Sequence, residues 1–248
     1  MGALTNGRTL GTLYLIPNTL GLHDTLAAVL PAEVQAIAAR CTHFVVENPK
    51  VARNFLKAVG ITTPLQEVSM GELNVNTPDA DIQQLLTPLL AGHDVGLVSD
   101  AGCPAVADPG ARLVAAAHAA GIAVQPLVGP SSILLALMGS GLNGQKFAFH
   151  GYLPIDAAQR QAELKKLESE SRASQQTQMF IETPYRNMQL LEALCKTLHP
   201  QTKLCVGADL TLPTQYILTQ TIAEWQKSNK NKAWPDLHKR PTLFLFLA

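Results

Sequence analysis

Short apolar runs alternate with amphipathic segments through the first half of the chain. Residues 12–16 and 95–99 are apolar runs with the length of a buried strand, and each is followed by a segment whose apolar side chains recur every three or four residues. This alternation predicts an α/β domain with a mostly parallel sheet. The predicted strands are 12–16, 43–47, 65–68, 95–99 and 123–127, and the predicted helices are 32–40, 51–59, 80–90 and 111–120.

The second half of the chain has a less regular pattern. Several apolar runs follow one another without a long helix between them, which favours antiparallel neighbours and a mixed sheet. The polar runs 168–177 and 227–232 are expected to be exposed loops. The predicted strands are 147–150, 179–182, 203–207, 215–219 and 242–247, and the predicted helices are 131–138, 157–168 and 188–198.

The dipeptide Gly129-Pro130 interrupts the pattern between the two halves. It follows one completed layer of alternating strands and helices. We therefore expect two α/β domains, residues 1–127 and residues 128–248, with a cleft between them.

Composition narrows the function classes. Lys plus Arg and Asp plus Glu balance at 19 each, which argues against a protein that wraps naked nucleic acid. The four cysteines show neither CxxC spacing nor pairing with histidines, so no metal site and no disulfide framework is predicted. No window reaches about 18 uninterrupted apolar residues, so we expect no membrane span and a cytoplasmic protein.

One apolar run delivers an acid and a glycine at its carboxyl end. Asp100 and Gly102 follow the run 95–99 directly, and open α/β sheets bind ligands at the carboxyl ends of their strands. A ligand site and a plain capped turn fit this spacing about equally. The segment is neither a GxGxxG fingerprint nor a P-loop.

Other candidates lie at predicted helix starts and strand ends. Ser131 and Ser132 follow Gly129-Pro130 at the start of a helix, where free backbone N–H groups bind polar atoms or where serine is an ordinary N-cap. Glu47 and Glu182 lie near strand ends, where functional acids and solvated charges both occur.

Six motifs, in order along nearly the whole chain, match those of one known protein family. The clearest is Ser99 to Gly110, which is similar to the family's SDAGTPGISDPG, with Cys103 in place of threonine. The other five are the opening strand with Pro17 and Gly21, Glu47 to Arg53, Gly129 to Ser132, Gly151 to Pro154, and Phe180 to Arg186. The chain therefore resembles the tetrapyrrole (corrin/porphyrin) methylase superfamily and, within it, the small-subunit ribosomal RNA cytidine 2′-O-methyltransferases.

This resemblance implies a class III methyltransferase fold of two α/β domains that bind S-adenosylmethionine in the cleft between them, largely through backbone groups. It also implies a homodimer. Carried over by position, the implied donor contacts are Pro17, Asp100, Ala101, Gly102, Cys103, Val106, Ala107, Ser131, Ser132, Ile181, Ala208, Asp209, Leu210, Pro241 and Thr242.

The implied acceptor is the 2′-hydroxyl of a cytidine in 16S ribosomal RNA, within the small subunit. A ribose hydroxyl is a weak nucleophile, so a general base is expected. We expect Glu47 as that base and Glu182 as the second choice. Arg53 or Arg186 is expected to orient a phosphate.

Two departures from the family's motifs keep other acceptors open. Asn48, Pro49 and Lys50 replace the residues that follow the family's opening acid, and residues 68–74 contain no histidine where the family carries YHEHN. The alternatives are a methyltransferase for a small, tetrapyrrole-like molecule and a cofactor-binding protein that has lost catalysis.

Overall fold

Each half of the chain forms one five-stranded sheet with helices packed against it. The computed structural model describes residues 4–5, 8–21 and 25–248. The chain separates into two units, Met1–Ser131 and Ser132–Ala248. Within the described ranges, no helix is both long and apolar enough to cross a membrane.

The first unit contains a parallel sheet. After a small antiparallel pair, β1 (Leu4–Thr5) and β2 (Arg8–Thr9), five strands pair in the order β5-β4-β6-β3-β7, and all four pairings are parallel. Their bounds are β3 (Thr12–Ile16), β4 (His43–Val46), β5 (Ser69–Glu72), β6 (Val95–Val98) and β7 (Ala123–Pro126). The helices are α1 (Leu26–Val29), α2 (Ala32–Arg40), α3 (Pro49–Ala58), α4 (Asp79–Leu85), α5 (Thr87–Leu90) and α6 (Gly110–Ala119).

Successive residues of a strand point to opposite faces of the sheet. In this sheet both faces carry apolar side chains, and helices cover both. Ile16 and Val98 pack with α1, α2 and α3, whereas Leu13 and Leu97 pack with α4, α5 and α6. A Cβ at Gly96 would lie 2.7 Å from Ile16 Cδ1, so the central strand has room only for glycine there. The sheet is buried on both faces, as its apolar strands predict.

The second unit contains a mixed sheet, in the order β11-β10-β12-β9-β8. The pairing of β8 with β9 is parallel and the other three are antiparallel. The strands are β8 (Phe147–Tyr152), β9 (Thr177–Ile181), β10 (Lys203–Ala208), β11 (Tyr216–Thr221) and β12 (Thr242–Leu247). The helices are α7 (Ser132–Ser140), α8 (Ala157–Ser174), α9 (Asn187–Thr197) and α10 (Ile222–Lys230).

The two faces of the second sheet are covered differently. Phe180, Phe244 and Trp225 lie in a buried cluster with the apolar side chains of α8, α9 and α10. On the opposite face, a Cβ at Gly139 of α7 would lie 2.3 Å from Ile217 Cδ1. The single helix α7 therefore packs tightly over β11.

The runs 168–177 and 227–232, which were predicted to be loops, are helical as far as Ser174 and Lys230, so the prediction was wrong for most of both. Helix α8 continues to Ser174 because its buried face continues through Leu164, Leu167 and Ser171 at helical spacing, and Gln175 ends it in the left-handed conformation (φ +54°). Helix α10 reaches Lys230 from a capping box formed by Thr221 and Glu224. High polarity on the solvent side had hidden the end of α8 and the whole of α10.

Two other elements of the first unit also differ from the pattern. The strand predicted at 65–68 is instead β5, an edge strand whose ends, Ser69 and Glu72, are exposed, so it carries no apolar run. The helix predicted at 80–90 divides at Leu86 into α4 and α5, next to Pro88, which lacks an N–H for a continuous helix.

Candidate active site

Three neighbouring strands of the first sheet end together. Ile16 of β3 and Val46 of β4 both pair with Val98 of β6. The residues that follow these strands, Pro17, Glu47 and Ser99, therefore leave the sheet at the same edge. In open parallel sheets this carboxyl edge is where ligands bind.

Asn18 ties the turn after β3 to the loop after β6. Its backbone N–H donates to the carbonyl of Gly102 (2.9 Å), and its Nδ2 donates to the carbonyls of Ser99 (3.2 Å) and Asp100 (3.1 Å). The side chain is 0% exposed. Sequence reasoning missed Asn18, although a polar residue directly after a buried strand was a usable signal.

The loop from Cys103 to Gly110 is organised by one carboxylate oxygen. Asp108 Oδ1 accepts hydrogen bonds from the backbone N–H groups of Ala105 (2.8 Å) and Gly110 (2.7 Å). Ala105 and Ala107 have positive φ angles of 66° and 59°, which is costly for residues that carry a Cβ. Val106 between them is 50% exposed. Asp108 was also missed from the sequence.

Close backbone packing joins a third segment to this edge. A Cβ at Gly129 would lie 2.2 Å from Pro17 Cβ, so glycine is required where these two segments of the chain touch. The Cys103 thiol lies 3.4 Å from the carbonyl oxygen of Pro130. Pro17, the 100–103 loop and the segment that leads to Ser131 therefore converge.

Three carboxylates give this edge a negative potential. Glu47 Oε2 accepts a long hydrogen bond from the backbone N–H of Asp100 (3.4 Å). Burial, and then the charge of Glu47, raises the pKa of Asp100. Burial is also the largest cause of the raised pKa of Asp108, which Glu47 raises further while two backbone N–H groups oppose the shift. A bound positive charge is favoured here.

The residues that depart from the family motif after Glu47 begin a helix. The Asn48 side chain accepts from the backbone N–H groups of Lys50 and Val51, and Pro49 occupies the first turn of α3. Both are preferred helix-start residues. Arg53 lies exposed on this helix. Within the described ranges, no group of three or more His, Cys, Asp or Glu residues is arranged to hold a metal ion.

The second sheet also gathers predicted residues at one edge. Leu243 of β12 pairs with both Ile181 and Gly207, and Thr242 pairs with Ala208. The ends of β9 and β10 and the start of β12 therefore lie side by side. The predicted residues at this edge are Ile181, Ala208, Asp209, Leu210, Pro241 and Thr242.

An ion pair fixes the two loops at this edge. Arg240 Nε lies 2.7 Å from Asp209 Oδ2, and Arg240 Nη2 donates to the carbonyl of Thr214 (2.5 Å). The backbone N–H of Asp209 donates to the carbonyl of Pro241 (3.0 Å). Buried Asn187 Nδ2 adds a bond to the carbonyl of Arg240 (2.7 Å). Arg240 and Asn187 were missed because neither stands in a recognisable motif.

Glu182 is held by its neighbours. Its Oε1 accepts from the backbone N–H of Thr183 (2.6 Å), from Arg186 Nε (3.0 Å) and from Arg186 Nη2 (2.7 Å). Glu182 is buried. The structure thus pairs the two candidates Glu182 and Arg186 with each other. Ser132, the remaining candidate of this unit, begins α7.

Comparison with known proteins gives consistent matches over most of the chain. Residues 27–226 match the family described as Tetrapyrrole (Corrin/Porphyrin) Methylases. The Ribosomal RNA small subunit methyltransferase I of Xylella fastidiosa (strain Temecula1) is 34% identical over 224 residues, which are 90% of this chain and 77% of that protein. The protein of the same name from Mesorhizobium japonicum is 35% identical over 214 residues, which are 85% of this chain and 67% of that protein.

Two solved structures share the fold. The crystal structure of the methyltransferase CobJ has a TM-score of 0.61 at 21% identity, covering 96% of this chain and 94% of that one. The uroporphyrin-III-C-methyltransferase from Thermus thermophilus has a TM-score of 0.53 at 18% identity, covering 96% and 92%. These likenesses confirm the predicted α/β fold class.

Proposed function

This chain belongs to the tetrapyrrole methylase family and is an S-adenosylmethionine-dependent methyltransferase, and we propose that its acceptor is the 2′-hydroxyl of a cytidine in 16S ribosomal RNA. The observation that carries the proposal is the identity of 34% and 35%, over 90% and 85% of the chain, with two proteins named as small-subunit ribosomal RNA methyltransferases. An RNA acceptor within the ribosomal small subunit also implies action in the cytoplasm, and the family resemblance implies a homodimer.

The loop edge of the first unit suits the methyl donor. When bound, S-adenosylmethionine supplies an activated methyl group on a cationic sulfur. Glu47, Asp100 and Asp108 would provide negative charge at this edge to favour that cation. Burial is the largest cause of the raised pKa of each aspartate, and the charge of Glu47 raises both pKa values further. Gly102 has a positive φ of 70°, and a Cβ there would lie 3.1 Å from Leu20 Cδ2, so glycine allows this turn of the loop.

We assign the donor contacts to both loop edges. In the first unit these are Pro17, Asp100, Ala101, Gly102, Cys103, Val106, Ala107 and Ser131. In the second unit they are Ser132, Ile181, Ala208, Asp209, Leu210, Pro241 and Thr242. The main support is that each set comprises loops anchored by buried side chains, Asn18 in one case and Arg240 with Asn187 in the other. Such anchoring reduces the ordering cost of binding.

Glu47 is the proposed general base. It accepts the hydroxyl proton as the ribose oxygen forms its bond to the methyl carbon and the sulfur–carbon bond breaks. Its carboxylate makes one long hydrogen bond, to the backbone N–H of Asp100, so it has spare capacity to accept. Glu182 Oε1 already accepts three hydrogen bonds, two of them from Arg186, which disfavours Glu182 as a base. Arg53, which is exposed on α3, is the proposed phosphate contact.

The small-molecule acceptor and the loss of catalysis are not favoured. The curated relatives that match most of the chain are named for ribosomal RNA. The departures at Asn48 and Pro49, which had motivated a loss of catalysis, form the start of α3 and leave Glu47 beside Asp100.

A methylation map of 16S ribosomal RNA tests the acceptor. Mass spectrometry of RNA from a deletion strain should show one cytidine without its 2′-O-methyl group, and the purified protein should restore it on small subunits. An unchanged map would refute the RNA acceptor. Calorimetry with S-adenosylmethionine tests the donor site independently of the acceptor.

Substitution of Glu47 tests the base. Glu47→Gln should keep donor binding and slow methyl transfer by about 10²- to 10⁴-fold. The matched control, Glu67→Gln, alters an exposed acid of the same unit and should leave the rate unchanged. Full turnover of Glu47→Gln would exclude Glu47 as the base.

A further inference from the structure

A buried arginine in the second unit lacks a counter-ion. Arg160 of α8 is only 7% exposed. Its Nη1 donates to the carbonyls of Pro154 (3.3 Å) and Ile155 (2.9 Å). Its buried Nε has no hydrogen-bond partner, and none of the ion pairs in the described part of the chain includes it. Buried charges are ordinarily paired, so this unpaired guanidinium favours an anion beside it.

Arg160 lines a cavity between α8 and α9. The cavity measures about 300 Å³, which is near the lower limit for small-ligand sites. Its polar lining consists of Arg160, Gln161, Gln189, Glu192, Lys196 and Thr197. Amide, hydroxyl and cationic groups of this kind are hydrogen-bond donors to phosphate oxygens.

The charge balance favours an anion with one negative charge. Lys196 Nζ lies 3.6 Å from Glu192 Oε2 in an exposed ion pair. The charges of these two side chains offset each other, so the net charge of the cavity lining is the positive charge of Arg160. A phosphodiester carries one negative charge, whereas free inorganic phosphate carries more at neutral pH and would be repelled by Glu192.

A second cavity adjoins the first. It measures about 380 Å³, shares Glu192 and Lys196 with the first, and is also lined by Lys230 and the indole of Trp234. Because the two cavities share two lining residues, an extended anionic chain that lies along both would place a base against the indole. Two adjacent cavities suit a polymer better than a single ion.

We propose that the cavity between α8 and α9 binds a phosphate group, and that in the RNA substrate this is a backbone phosphodiester outside the catalytic edge. This inference rests on the proposed function. Such a site would give a protein of balanced net charge a local contact for RNA. Phosphate contacts position the nucleic acid without reading its sequence.

Binding of a labelled single-stranded oligoribonucleotide, followed by fluorescence anisotropy, tests the site. Lys196→Ala and Arg160→Lys should each weaken binding by about tenfold. For Lys196→Ala, which removes a positive charge, the slope of log affinity against log salt should also fall in magnitude by about 0.7. The control Lys203→Ala removes an exposed lysine of the same unit that lines neither cavity, and it should bind as the wild type does.

Inorganic phosphate, titrated by calorimetry, separates the two sources of the ligand. If the variants lose phosphate binding and still bind RNA fully, the cavity binds the free ion and the phosphodiester assignment falls. Unchanged binding of both probes would overturn the whole proposal. If Arg160→Lys unfolds the unit, Gln161→Glu provides a second test. Gln161 is exposed, and the added negative charge should repel the phosphate and weaken binding.

Donor calorimetry and methyl transfer, measured on the same proteins, keep the two proposals distinct. If the wild-type protein binds the oligonucleotide but methylates no ribosomal RNA, only the proposed acceptor is refuted. If every cavity variant methylates fully and binds RNA as the wild type does, only the proposed phosphate site is refuted.

Discussion

Replacing Asn18 by alanine removes the side chain that joins two of the loops at the first edge. The two bonds donated to the carbonyls of Ser99 and Asp100 are lost, while the backbone bond from Asn18 to Gly102 remains. The bond that Asn18 Oδ1 accepts from the N–H of Thr19 is also lost. We therefore expect the 99–102 loop to loosen without unfolding the sheet.

The magnitude follows from burial. Each lost hydrogen bond contributes about 0.5–1.5 kcal/mol, and a buried polar group left without a partner costs about 1–3 kcal/mol. Asn18 is fully buried, so Asn18→Ala should lower the free energy of unfolding of the first unit by about 2–4 kcal/mol. Affinity for S-adenosylmethionine should fall by about tenfold, since the loop must then be ordered on binding.

Native-state hydrogen exchange at the amides of Ile16 and Val98 reports this unit alone and is the assay of choice. Asn48→Ala is the matched control, because it removes an exposed asparagine cap and should cost about 1 kcal/mol. Asn18→Asp should be at least as damaging as Asn18→Ala, since it places a carboxylate oxygen against two carbonyl oxygens. A cost for Asn18→Ala no larger than that of the control, or an aspartate variant more stable than the alanine variant, would refute the reasoning.

Two further outcomes are expected. Arg240→Ala leaves the Asp209 carboxylate without its cation and should raise the dissociation constant for the donor by about tenfold. Arg240→Lys should restore part of the donor affinity, because it keeps the positive charge. Calorimetry showing normal donor binding by Arg240→Ala would exclude this positioning role. Burial, and then His93 stacked at 4.7 Å, lowers the pKa of His43 from its ordinary 6.5, so the neutral ring is favoured in the fold. The associated stability is complete above 6.5 and is lost as the pH falls through the lowered value, so the melting temperature should drop on acidification. His43→Gln should reduce that drop and the exposed His118→Gln should not; identical acid profiles would contradict the assignment.

Much of the fold could be predicted because its strands are buried on both faces. The apolar runs of β3 and β12 have the predicted bounds, as does the amphipathic pattern of α2. The strand expected at 65–68 was misplaced because its position depends on a neighbour. Edge strand β5 is held by its pairing with β4 rather than by an apolar run.

The candidate site could be predicted only in part. Motifs located Glu47 and the loop from Asp100 to Ala107, because both follow apolar strands directly. Asn18 and Asp108 act on backbone groups, and the partners of Asn18 lie 81 and 82 residues away in sequence. The pairing of Asp209 with Arg240 likewise spans 31 residues. Such contacts form only after the sheets align their ends, so spacing along the chain does not identify the partners of these residues.

The position of β12 has a consequence for synthesis of the protein on the ribosome. This strand lies between β10 and β9, although it follows both of them in the chain. The first sheet is complete once residue 126 has emerged, so it can form during translation. In the second sheet, β9 and β10 have no partner between them until residues 242–247 have been made. Nascent chains paused before that point would therefore display two unpaired, apolar strand edges, which favour pairing with other chains.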